Sequence, residues 1–311
     1  MISVVVVNWN SGRFLEKCVV SLCNHAAECE MIVVDNASDD GSADFIASSD
    51  PGLIFIQNAE NAGFAAANNT GWRRSRGDPI LFLNPDVECT RNAIGLLEHA
   101  ILQETAFWAC AGRLLPAAGA RQTHDYVRRL PTVSSVAAEM LLLDEIWPGN
   151  PWTRRYRMTG EDFGRIREVE QPAAACLMVR RSALECISGF DERFSPAWFE
   201  DVDLCKRIRD AGGKILLQPA ARFFHHGGYS LNRLSYGKFL EHYHTNQIRY
   251  FAKNYGRRES RRVRGFVIAG MHLRAGISIF RSLLKGSTRA ESFRVFRTAA
   301  RHFSTPSEGT T

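Results

Sequence analysis

A chain of 311 residues with 45% hydrophobic and 23% charged side chains can bury one large core or two modest ones, which excludes a disordered or low-complexity protein. The formal net charge of +6 is unevenly spread: residues 256–311 hold twelve Lys and Arg against three Asp and Glu, leaving 27 against 30 elsewhere. The basicity therefore belongs to the C-terminal region and not to the globular body.

The chain opens on an apolar run, "SVVVVNW" (3–9). It has neither a basic n-region nor a small-residue cleavage site, so it is expected to be a first core strand and not a signal peptide. "EMIVVDN" (30–36), "LIFIQN" (53–58) and "PILFLN" (79–84) repeat the pattern. Such short, β-branched, nearly continuous runs suit strands covered on both faces, as in a parallel sheet. Helices are predicted between them at 13–25, 41–49 and 64–75. The βαβαβαβ order implies a doubly wound α/β sheet with right-handed crossovers, whose ligands bind beyond the carboxyl ends of the strands.

Residues 116–165 show weak periodicity and are predicted to be a loop-and-helix excursion. Strands resume at 175–181 and 214–219. Between them Leu204, Ile208 and Ala211 recur at helical spacing, with Gly212 as a stop. Glu200 and Asp201 then stand in the first turn of that helix, after the aromatic approach "SPAWF". No run reaches the eighteen or more apolar residues of a spanning helix, so the chain is not expected to cross a membrane.

Polar residues gather where the strands end: Asn8-Trp9-Asn10, Asp35-Asn36, Asn58 to Asn61, and Asn84-Pro85-Asp86. One such group is ordinary turn chemistry; four together indicate a site. After the first strand the chain reads N-W-N-S-G-R, so the G-x-G-x-x-G cradle is absent, as is a P-loop. Asp86, behind a proline, is a candidate ligand for a hard divalent ion, Mg²⁺ or Mn²⁺. His225-His226 before Gly227-Gly228 could complete such a site or be hydrogen-bonded surface histidines. Glu200-Asp201 could be carboxylates favoured by a helix dipole, or a general base shielded by Trp198 and Phe199. Cys18, Cys23, Cys29, Cys89, Cys110, Cys176, Cys186 and Cys205 form no C-x-x-C pair; reduced, mostly buried thiols in a cytosolic protein are expected.

In order, "VVVVNWN", "VVDNASDDGS", "NAGFAAANNTG", "LFLNPDV", "ACLMVRRSAL", "GFDERFSPAWFEDVDLCKR" and "FFHHGGYS" resemble the family 2 glycosyltransferases, and more narrowly bacterial rhamnosyltransferase-type members, over residues 3 to about 256. The resemblance implies a GT-A fold, an α/β fold with a doubly wound, mainly parallel sheet and a Rossmann-like nucleotide-binding half. It also implies inverting transfer from a nucleotide-diphosphate sugar. On this reading residues 1–90 bind the nucleotide sugar, 91–230 bind the acceptor, and 231–311 form a basic, amphipathic helical tail. The resemblance assigns Asp35 to the base or ribose and Gly63 and Asn69 to the border of the nucleotide pocket. It makes Asp86 the final acid of the D-x-D motif and metal ligand, and Asp201, with Glu200 beside it, the catalytic base. His225, in H-x-x-G-x-S through Gly228 and Ser230, completes the metal site. Asn8, Asn10, Asn61 and Asn84 are grouped with the nucleotide-sugar contacts, and Trp198 and Phe199 with the acceptor. Two departures stand out: Asn84 replaces the first D-x-D acid, and Ala174 stands where relatives commonly have Gly.

In the tail, Phe266, Leu273, Ile277, Phe280 and Leu284 share one helical face, with Arg274 and Arg281 expected opposite and Arg257, Arg258, Arg261, Arg262 and Arg264 upstream. A membrane-surface helix and a helix packed on the catalytic domain both fit. Membrane contact is preferred, because a lipid-linked acceptor would be met at the inner face of the plasma membrane; nucleic acid is not expected, since the tail carries no binding module. The leading donor is dTDP-rhamnose, and the leading acceptors are a glycolipid or a growing polysaccharide. A sugar nucleotidyltransferase and a non-catalytic carbohydrate-binding protein are the competing classes.

Overall fold

The computed structural model describes residues 1–48, 52–117, 126–227, 234–285 and 290–304. Strands β1 (Ser3–Asn8), β2 (Glu30–Asp35), β3 (Ile54–Gln57) and β4 (Ile80–Leu83) alternate with helices α1 (Phe14–His25) and α2 (Phe64–Arg74). Then follow β5 (Val87–Cys89), α3 (Ala93–Leu102), β6 (Phe107–Pro116) and β7 (Val127–Arg128). The middle of the chain forms α4 (Val133–Met140), α5 (Leu143–Ile146), α6 (Pro151–Arg157), β8 (Arg167–Val169), β9 (Gln171–Pro172), β10 (Cys176–Val179) and α7 (Arg181–Ile187). The chain continues through α8 (Glu200–Asp210), β11 (Lys214–His225), α9 (Tyr236–Tyr255), α10 (Arg257–Lys285) and α11 (Ala290–Ser304).

Two compact units result: Met1–Arg129 with Gly160–Arg233, and Leu130–Thr159 with Leu234–Thr311. Residues 130–159, expected in the acceptor half, cluster instead with the C-terminal helices.

The first unit holds a nine-stranded sheet, ordered β3-β2-β1-β4-β10-β6-β11-β5, with β8 also paired to β11. The pairs β3–β2, β2–β1 and β1–β4 are parallel, whereas β10 runs antiparallel to both β4 and β6. Strand order reverses at β1, so the crevice beyond β1 and β4 is where such a sheet takes a ligand. β1 and β4 are buried throughout, as their unbroken Val, Ile and Leu runs require. β3 departs from expectation: it is the edge strand, and its burial alternates, leaving Phe55 38% exposed. Helix α2 lies close on the sheet, since a Cβ at Gly71 would sit 2.3 Å from Val5 Cγ1.

Residues 41–49, expected to be helical, form only a 3-10 turn at Asp44–Ser48. Short polar side chains bond the backbone instead, as when Asp40 Oδ1 accepts from Ser42 N–H at 3.0 Å. α3 and β6 carry no strand-end polar signature, and sequence patterning passed over them. β11 extends past its predicted end through an irregularity between Gln218 and Arg222, and so reaches His225.

The second unit is helical. Thr132 and Ser135 form a capping box on α4, and Asn150 and Ser235 cap α6 and α9. Val263, Val267, Met271 and Ala275 are the buried face of α10. That corrects the expected wheel: Leu273 and Phe280 are 39% and 63% exposed, and Arg274 is not on a solvated face. Its guanidinium donates to the carbonyls of Met140 (2.6 Å) and Glu139 (3.0 Å), satisfying the end of α4. The side chain of Leu284 lies outside the described residues. By length and composition Arg257–Ser282 is also apolar enough to cross a membrane, contrary to expectation. Its charges crowd into the first turns, and Gly, Ala and Ser between the apolar positions leave an eighteen-residue stretch with at most two charged residues.

Candidate active site

β4 delivers the Asn84-Pro85-Asp86 turn beyond the sheet. Val87 N–H donates to Asn84 O (3.1 Å), and Asn84 N–H donates to Ala175 O (3.0 Å). On the far side His226 N–H donates to Asp86 O (3.0 Å), so the turn is held from both flanks. Asp86 and His225 are nearly buried, and Asp86 Oδ1 lies 3.3 Å from His225 Nε2. Tyr126 sets its ring edge to His225 at 5.0 Å. Burial, and then the Asp86 charge, push the Tyr126 phenol up. His225 Nδ1 and Asn84 Oδ1 are buried without a hydrogen-bond partner, which is costly unless something completes them. Among the described residues no group of three or more His, Cys, Asp and Glu is placed to hold a metal. Gly228 and Ser230, expected beside His225, lie outside the described residues.

The acids of α8 separate by burial. Glu200 is 6% exposed, and its Oε2 has no partner. Desolvation, reinforced by the neighbouring Asp201 charge, pushes its carboxyl well above the ordinary 4.5. Asp201 is half-buried; its Oδ1 accepts from Val202 N–H (2.8 Å), and its Oδ2 lies 3.4 Å from Ala174 N–H. Desolvation raises its pKa, while these amides and the charge of Arg128 act the other way. Of the pair, Asp201 is the one a substrate can reach. Ala174 and Ala175 therefore join the two halves of the site, one bonding Asp201 and the other Asn84. Asp203 is structural: fully buried, it pairs with Arg207 Nε at 2.6 Å.

The approach to α8 is backbone-strained. Trp198 and Phe199 both adopt positive φ, 72° and 71°, a conformation seldom held by bulky residues outside functional loops. The same loop packs on the start of α2, where Phe64 N–H donates to Pro196 O at 2.7 Å. Gly63 is required there: its φ is 89°, and a Cβ would meet Ser195 Oγ at 2.9 Å.

The remaining predicted contacts divide. Asn61 is exposed, and its Oδ1 accepts from Asn36 Nδ2 (2.7 Å) and Gly63 N–H (2.9 Å). Asn10, at φ 50°, accepts from Asp39 N–H at 2.9 Å. Asp35 is 1% exposed, its oxygens taken by Asn8 Nδ2 (2.7 Å) and Ser38 N–H (3.1 Å). Asn8 is fully buried and also reaches Ser42 Oγ at 2.8 Å, so it braces β1 to the loop after β2. Asn69 is likewise held within the chain. It donates to Phe190 O (2.9 Å) and Glu192 Oε1 (2.7 Å) and accepts from Trp72 Nε1 and Phe190 N–H (both 2.9 Å). All four bonding positions of the amide are used. Sequence reasoning missed Tyr126 and Arg128, which lie in a stretch without periodicity and become neighbours of His225 and Asp201 only through the β7–β9 pairing.

The family model for glycosyl transferase family 2 matches residues 3–188. The chain belongs to this family. Its activity class is therefore sugar transfer, and the nucleotidyltransferase and non-catalytic alternatives give way. It is 29% identical over 267 residues to the N-acetylglucosaminyl-diphospho-decaprenol L-rhamnosyltransferase of Mycobacterium tuberculosis, covering 80% of this chain and 83% of the relative. It is 25% identical over 261 residues to rhamnosyltransferase WbbL of Escherichia coli, covering 81% and 93%. The mannosyltransferase PcManGT of Pyrobaculum calidifontis, solved with GDP-Man and Mn²⁺, shares the fold at a TM-score of 0.54 and 14% identity, covering 97% of this chain and 86% of that one. The GT-A expectation, with its mixed but mostly parallel sheet and C-terminal helical region, is borne out.

Proposed function

We propose that this glycosyltransferase moves L-rhamnose, with inversion, from dTDP-rhamnose to a hydroxyl of a lipid-linked saccharide or polysaccharide in cell-envelope glycan synthesis. One observation carries the reading. The backbone of Ala174 and Ala175 bonds Asp201 on one side and Asn84 on the other, setting a shielded carboxylate beside the turn that bears Asp86. The names of the two rhamnosyltransferase relatives support the sugar, and the diphospho-decaprenol acceptor of one supports a lipid-linked acceptor.

Asp201 takes the proton of the acceptor hydroxyl as that oxygen attacks the anomeric carbon. The new glycosidic bond forms as the bond to the diphosphate breaks, and the nucleoside diphosphate leaves with the electron pair. A base so placed contributes about 10²–10⁴-fold. Trp198 and Phe199 shield the attack. Asp35, Asn10, Asn61 and Gly63 shape the nucleotide side, with Asn8 and Asn69 holding that frame.

Asp86 and His225, with the unpartnered Asn84 oxygen nearby, form a carboxylate–imidazole–amide set that fits Mg²⁺ or Mn²⁺. Such an ion, when bound, offsets charge growing on the leaving diphosphate. Since Asn84 brings no charge, ion affinity is weaker than in a site with two acids. The protein acts in the cytoplasm, peripherally on the inner face of the plasma membrane, where the exposed apolar residues of α10 and the surrounding arginines contact lipid.

The test is thermal stability with dTDP, UDP or GDP, each with and without Mn²⁺ or Mg²⁺, followed by transfer from dTDP-rhamnose. A metal-dependent rise with dTDP, lost in Asp86→Ala, is expected. A rise with another nucleotide alone would replace the donor; no rise with any, from folded protein, would overturn the site.

A further inference from the structure

The first unit carries a continuous strip of cations and aromatic rings that neither the nucleotide site nor α10 accounts for. Along the distal part of β11 the core takes Phe223, while Arg222 and Phe224 are exposed. In the parallel pairing with β6, Arg222 lies directly opposite Arg113, also exposed, and Phe224 opposite Leu115. Neither guanidinium has a partner among the described residues. Like charges placed side by side on a sheet repel, so this arrangement favours an anion over it.

The strip continues from β11 toward α1. His226 Nε2 lies 2.5 Å from Glu88 Oε1, and Glu88 is the cross-strand partner of Phe224. The Phe14 ring sits 4.8 Å from the His226 ring, with Arg13 and Lys17 over it at 5.8 and 6.0 Å. Four permanent cations thus flank two aromatic rings; of the acids beside them, Glu88 is already bound by His226, and Glu16 in the first turn of α1 leaves the cations in excess. Aromatic rings interleaved with Lys and Arg are the composition of a surface that rests at the lipid headgroup level.

We propose that this strip lays the catalytic unit on an anionic bilayer. The surface ends at His226, the residue next to His225. A lipid-linked acceptor held in that bilayer would therefore present its sugar near the Asp86–His225 pair. The acceptor clause rests on the function proposed above; the surface itself rests on charge and exposure alone.

Binding of the full chain to vesicles of equal phosphatidylglycerol and phosphatidylcholine, and of phosphatidylcholine alone, tests it by co-sedimentation. Arg113→Glu with Arg222→Glu should weaken binding to the anionic vesicles about tenfold or more. Phe224→Ser should weaken it less, and transfer to a soluble short-chain acceptor should be unchanged in both. Arg113→Gln with Arg222→Gln serves if the charge reversal lowers Tm. Leu273→Asp with Phe280→Asp reports on α10 separately. Full binding by both Arg113/Arg222 doubles overturns the strip, whatever the α10 variant does; equal binding of the wild type to both vesicles, or to neither, overturns it as well. Loss of binding in the doubles with a normal dTDP shift separates this surface from the donor site.

Discussion

Asp86 Oδ1 and His225 Nε2 lie 3.3 Å apart although β4 and β11 are not neighbours in the sheet. The short edge strand β5 brings them together. It follows the Asn84-Pro85-Asp86 turn and pairs antiparallel with the end of β11, placing His225 opposite Val87. The pair is thus held by backbone ladders on two strands, a rigid placement for the metal-binding role proposed above.

Asp86→Asn keeps size and loses the charge. Metal-dependent stabilisation by dTDP should vanish, and kcat should fall by about 10²–10³, the usual cost of removing one electrostatic stabiliser. His225→Ala should weaken metal dependence with a smaller fall. Titration of Mn²⁺ against Tm reads both.

Asp201→Asn should lower kcat by about 10²–10⁴. Glu200→Gln should change it less than tenfold, because Glu200 is buried away from the substrate side and its carboxyl is already pushed well above the ordinary 4.5. The acid limb of the pH–rate profile should follow Asp201, whose raised pKa means that activity is lost as pH falls through it. Glu200→Gln should leave that limb in place, shifted slightly by loss of the neighbouring carboxyl. A limb abolished by Glu200→Gln would reverse the assignment.

Stability adds a second reading of Glu200. Its folded pKa is raised, so the native state holds a proton that the unfolded chain gives up above about 4.5. Stability should therefore fall as pH rises from near 4.5 to the higher folded value, and stay low above it. Glu200→Gln should flatten that fall and raise Tm at neutral pH.

Asn69→Ala removes four hydrogen bonds, three tying α2 to Phe190 and Glu192 and one to the Trp72 indole within α2. Left unpaired, the Phe190 backbone and Trp72 indole should cost about 2–5 kcal/mol in urea unfolding. Nucleotide affinity of the folded fraction should hold within a few-fold; a large selective loss would mean that Asn69 touches the ligand.

Gly63→Ala meets a positive φ, the Ser195 hydroxyl and the Pro196 backbone. It should cost about 1–2 kcal/mol. Because it displaces the loop leading to Trp198 and Phe199, it should also raise the acceptor KM more than the donor KM in steady-state transfer.

Much of this was legible along the chain. Short β-branched runs such as Val4–Val7 and Ile80–Leu83 suit strands buried on both faces, and their polar ends mark a crevice. Glu200-Asp201 stood out for the bulky aromatics beside them, and Asp86 for the proline that fixes the strand-end turn and aims its carboxylate.

What the sequence could not determine is which polar groups face outward. Asn8 and Asn61 follow the same pattern, yet Asn8 is buried among Asp35, Ser38 and Ser42 while Asn61 is exposed. Hydrogen-bond partners are chosen by three-dimensional proximity, and an amide has the same propensity in either role. For the same reason Tyr126 and Arg128 were invisible until β7 paired with β9, and Arg274 read as a solvated cation until α10 packed on α4. Periodicity determined the strands and the strand-end location of the chemistry; long-range pairing alone decided which side chains brace the site and which can touch a substrate.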